Sequence, residues 1–65
     1  MKLAMTGQLF GPGGKAGPLF VIHELGPESY TGLIISHLTG EVLAMIEDTS
    51  TINRACELIY EHKDW

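Results

Sequence analysis

Tyr30-Thr31-Gly32-Leu33-Ile34-Ile35-Ser36-His37-Leu38-Thr39-Gly40-Glu41-Val42-Leu43-Ala44-Met45-Ile46-Glu47 decides how this chain is read. Two runs of aliphatic and β-branched side chains, 30–38 and 41–47, flank Thr39-Gly40. Glycine takes positive φ without steric cost, so this pair predicts a two-residue hairpin turn. Such a turn pairs Leu38 with Glu41, Ser36 with Leu43 and Ile34 with Met45 on one face. On the other face it pairs His37 with Val42, Ile35 with Ala44 and Leu33 with Ile46. A strand buried on one side alternates apolar with polar residues. Neither run does: both faces are apolar.

Upstream, Leu19–Leu25 is a further strand by its β-branched and aromatic content, with Gly26-Pro27-Glu28-Ser29 as a turn. Residues 2–9 form a weaker strand candidate. Gly11–Pro18 reads as a flexible Gly/Pro loop. Downstream, Asp48-Thr49-Ser50-Thr51 offers N-cap oxygens. Ile52, Ala55, Cys56 and Ile59 then recur at the spacing of a buried helical stripe, which Leu58 widens, over about residues 50–62. The expectation is a single α+β domain over 1–65, an antiparallel three- to four-stranded β-meander with one C-terminal α-helix packed on one face.

All eight glycines and three prolines precede residue 41, while residues 41–65 supply the whole formal charge of -4. That balance argues against nucleic acid, which is bound mainly by neutralising phosphates with Lys and Arg. Without a long apolar run no membrane contact is expected. Cys56 is the sole cysteine, so no internal disulfide can form, and the free thiol with no basic-then-apolar leader fits the cytoplasm. One Cys and three scattered His give no zinc spacing, so neither a metal nor a cofactor is expected.

One helix of about a dozen residues covers one face of a small sheet. It is assigned to Leu33, Ile35, Val42, Ala44 and Ile46, where the small Ala44 admits close approach. Ile34, Leu38, Leu43 and Met45 are left as the partner or dimer interface. On this assignment Ile35→Lys unfolds the chain and Met45→Lys weakens association. The register of 19–25 stays open, because a four- or five-residue turn at Gly26–Tyr30 exchanges its faces. The first residues either add a strand or fold over the open face as a lid.

Gly11-Pro12-Gly13-Gly14-Lys15-Ala16 resembles a phosphate loop only superficially. Leu9 stands where the first glycine belongs, Ala16 where the metal-binding hydroxyl belongs, and no helix follows. His23 and Glu24 are adjacent, so a strand sends them to opposite faces, and His37 has no orienting carboxylate. No catalytic residue is assigned, and the chain is read as no enzyme. Cys56 on the apolar stripe is a small core residue. Glu57, Glu61 and Asp64 share a helical ridge and, with Trp65, are candidates for contacting a partner.

The leading expectation is a non-enzymatic protein-binding module, a homodimeric accessory regulator or inhibitor acting on a larger protein partner. A chain starting at Met1 with no linker on either side fits a small gene product of this kind, including those of phage or other mobile elements. The alternative is a small-molecule or metal-binding module with a site at a dimer interface, using His23, His37, Lys15 and the Gly11–Gly17 loop.

Overall fold

A computed structural model describes residues 1–62 of this chain. Four strands, β1 (Lys2–Phe10), β2 (Ala16–Gly26), β3 (Ser29–Ile35) and β4 (Val42–Thr49), form one antiparallel sheet in the order β1-β2-β3-β4. The helix α1 (Ile52–Glu61) follows and packs on one face. The chain is thus an α+β meander with one C-terminal helix. Its first residues are an edge strand, Lys2 to Phe10 against β2, and not a lid over the sheet.

The Gly/Pro loop is shorter than its composition implies. It spans 11–15, closed by Gly11 N–H donating to Lys15 O at 2.7 Å and by Gly14 N–H donating to Gly11 O at 3.1 Å. Gly17 and Pro18 are buried within β2. Proline cannot donate to a ladder, and here it sits opposite the irregularity between Gln8 and Phe10, where strand pairing is already interrupted.

The β3–β4 connection departs from the expected two-residue turn. Ser36 N–H donates to Glu41 O at 2.8 Å, and Gly40 N–H donates to Ser36 O at 2.9 Å, enclosing the four residues 37–40. The Ser36 hydroxyl accepts from the N–H groups of Leu38 and Thr39, both at 3.2 Å, and Thr39 Oγ1 accepts from Glu41 N–H at 3.3 Å. Gly40 closes the loop at φ 78°, a conformation that side chains disfavour. Serine hydroxyls stabilise such turns by capturing backbone donors ahead of them. The longer loop, with Ser36 opposite Glu41 and Ile35 opposite Val42, moves the pairing by two residues and by itself keeps every side chain on its face. Farther along, Ile34 lies opposite Ala44 and Leu33 opposite Met45, one residue out of that pairing.

Because side chains alternate, a one-residue shift transfers a whole strand's set to the other face. Ile34, expected on the open face, is fully buried beneath α1 together with Phe20 and Ile22. Leu33 and Ile35, expected under the helix, lie on the opposite face with Val42. Ala44 and Ile46 do face the core. The one-residue shift comes from a bulge that places Leu43 as an extra residue between the Ile35–Val42 and Ile34–Ala44 pairs, which turns Ala44 and Ile46 to the side of Ile34.

Small residues let the layers approach. Gly7 pairs with Phe20, and a Cβ there would lie 2.7 Å from the far edge of the Phe20 ring, itself buried and 6.0 Å from Tyr60 in an edge contact. A Cβ on Gly32 would lie 3.0 Å from Ile46 Cδ1 and 3.3 Å from Ile59 Cδ1. The helix begins at Thr51, whose Oγ1 accepts from Arg54 N–H at 3.1 Å. It buries Ala55 and Ile59, with Ile52 and Cys56 packed at their flanks, as the stripe predicted.

Two outcomes test this packing. Ile34→Lys should abolish the folded circular dichroism signal, whereas Ile35→Lys should leave a folded chain, the reverse of the assignment made from a two-residue turn. Gly7→Val should lower the melting temperature, since overpacking a filled core costs about 1–3 kcal/mol and each kcal/mol is worth roughly 4–8 °C in a domain this small.

Candidate functional site

The face of the sheet away from α1 is the site that the fold exposes. Two cross-strand rows form its centre: Leu19, Ile35 and Val42, then Val21, Leu33 and Met45. Val21, Leu33 and Ile35 are half-buried by their neighbours, while Leu19, Val42, Leu43 and Met45 stand exposed, Met45 at 70%. Beside these two rows the β1 side of the same face is polar, while farther along it Leu3, opposite His23, is apolar and exposed. Thr6 pairs with Val21 and Gln8 with Leu19. Thr6 Oγ1 donates to Phe20 O at 2.9 Å and Gln8 Nε2 to Gly17 O at 3.0 Å, so their polar atoms are engaged in tying β1 to β2. The apolar area therefore runs across β2, β3 and β4 and ends at a polar margin.

The charges of the helix lie elsewhere. On α1, Arg54 Nη1 is 3.6 Å from Glu57 Oε1 and 3.5 Å from Glu61 Oε2. This one cation answers the like-charge spacing of the two glutamates, although exposed pairs of this kind contribute little to stability. Glu57 and Glu61 are thus on the solvent side of the helix, remote from the apolar rows.

The remaining expected site residues scatter. Met45 lies on the open face, Leu43 is the exposed extra residue of the β4 bulge, Ile34 is on the helix side, and Leu38 sits at the tip of the 37–40 loop, 83% exposed and beyond the sheet. His23 is on the open face, paired with Leu3 and Thr31. His37 and Lys15 occupy the two loops at the far end of the sheet, about 20 Å from His23 at roughly 3.3 Å per strand residue. The three groups of the ligand-binding alternative are therefore not brought together within one chain. Asp64 and Trp65 lie outside the described residues. Cys56 is half-buried, its Sγ 3.5 Å from Met5 Sδ, a weak thiol contact. Among the described residues no group of three or more His, Cys, Asp and Glu side chains could hold a metal ion. No helix among them is long and apolar enough to cross a membrane.

Comparison with protein-family models, with curated proteins and with solved structures finds no match to this chain.

Leu33, Ile35 and Val42 were expected under the helix together with Ala44 and Ile46; the bulge at Leu43 separates the two groups, and the helix covers the side that holds Ile34, Ala44 and Ile46. The Ser36 hydroxyl suits the start of a longer turn but says nothing of the bulge. Leu19, Val21 and Leu25 share one side of β2 by alternation, and the β2–β3 pairing places that side away from the helix.

Proposed function

We propose that this chain is a non-enzymatic protein-binding module that works through the open face of its sheet, as a homodimeric accessory regulator or inhibitor of a larger protein partner. The observation that supports this is the pair of apolar rows left uncovered by the single helix. Fully burying an aliphatic side chain is worth about 1.5–3 kcal/mol relative to leaving it in water. A domain of this size has only a few kcal/mol to spare. Several such side chains held in solvent are a cost that association removes, and contiguous apolar surface is the usual mark of a protein interface. The polar margin along β1 resembles the rim that surrounds an interface core.

Light scattering across a concentration series tests the reading. The wild-type chain should move from 7.1 kDa towards twice that mass as concentration rises, and Met45→Lys should hold it at the single-chain mass with its fold intact. A variant that assembles like the wild type would remove the face from the reading. Nucleotides and divalent cations should leave the melting temperature unchanged. A ligand at a hundred times its Kd would raise stability by about 2.7 kcal/mol, and such a rise would assign a ligand-binding role instead.

A further inference from the structure

We infer that two copies of this chain pack face to face about a two-fold axis, the open faces forming a two-sheet interior and the helices the outer layers. This rests on the reading of the open face as a protein-binding surface and names its occupant and geometry.

Dimensions support it first. The molecule measures 36 × 20 × 16 Å, so its broad side outlines about 700 Å², close to the ~800 Å² that each partner gives to a standard interface. The surface also suits a copy of itself: an isologous contact needs one patch to complement itself, and apolar rows do so without the opposite charges a heterologous partner would exploit.

Charge placement points the same way. A chain of net charge -4 repels its own copy unless its acids stay apart. Glu57 and Glu61 lie on the far side of α1. Glu24 pairs with Lys2 and alternates away from the open face. The ionisable groups left in or beside the face are His23 and, past Met45 on the edge strand, Glu47. Face-to-face packing places the helical acids outside two sheet layers spaced about 10 Å apart, beyond the ~8 Å Debye length at physiological salt.

Edge-to-edge joining of two β4 strands satisfies less. It would leave both apolar rows in water, and β4 is a poor template for it. Its uninterrupted pairing with β3 spans only Ala44–Ile46, with irregularities on either side. Bulges of this kind blunt a sheet edge against further pairing.

Hydrogen exchange on the wild-type chain below and above its association midpoint, combined with light scattering on Leu33→Lys and Met45→Lys, tests the arrangement. The outward amides of β4 should exchange at the same rate in monomer and dimer. Both variants should remain folded by circular dichroism and associate at least about tenfold more weakly, since each brings an unpaired ammonium into an apolar contact. A dimer whose β4 amides slow on assembly, or one indifferent to both substitutions, overturns the face-to-face packing while leaving dimerisation in place. A single-chain mass at every concentration overturns the dimer itself, and this packing with it.

Discussion

The Ser36 hydroxyl, accepting from the N–H groups of Leu38 and Thr39, and Gly40 at positive φ together hold a loop of four residues between β3 and β4. That loop sets Ile35 opposite Val42, and the extra residue Leu43 just past it decides which side chains of β4 share a face with those of β3. A sheet has a side-chain period of two, so no intermediate solution exists between Ile34 inside and Ile34 outside. Here Ile34 joins Phe20, Ile22, Ala55 and Ile59 in the core, and Leu33 and Ile35 take the opposite face. The bulge at Leu43 keeps Val42 with Ile35 while turning Ala44 and Ile46 to the side of Ile34.

The helix could not serve both faces, and it barely serves one. Ten residues reach about 15 Å, against a molecule 36 Å long. Close approach compensates for shortness: Gly7 accommodates the ring of Phe20, Gly32 lies under Ile46 and Ile59, and Ala55 is the helix residue fully buried beside Ile59. A core assembled from glycines and a few isoleucines is tight but thin. The apolar residues it cannot use are those of the other face, and the same economy that makes the fold possible in so few residues leaves that face uncovered by the helix.

Charge and hydrophobicity are sorted by face. Arg54, Glu57 and Glu61 occupy the solvent side of α1, the polar Thr6 and Gln8 line the β1 margin, and the rows from Leu19 to Met45 carry neither acid nor base. Sorting of this kind is invisible in a net charge, which says only that the chain is acidic. It emerges when the strand and helix periods are laid on the actual pairing.

Much of the architecture was legible in the residues themselves. Local chemistry suffices for the elements: β-branched runs make strands, glycine and proline break them, and a Thr51 cap followed by a 3.6-residue apolar period makes a helix that buries Ala55 and Ile59. It also suffices for the mismatch between strands apolar on both sides and one helix to cover them. The side of β3 that the helix covers was not legible, because both sides are apolar and the β4 residues that join each side depend on one extra residue at Leu43. The choice is made by how well Ile34 or Leu33, with its β4 neighbours, fills the space beneath Ile59. Strand periodicity is the same in either register, so the one-residue shift leaves no trace in the apolar pattern, and tertiary packing alone decided it.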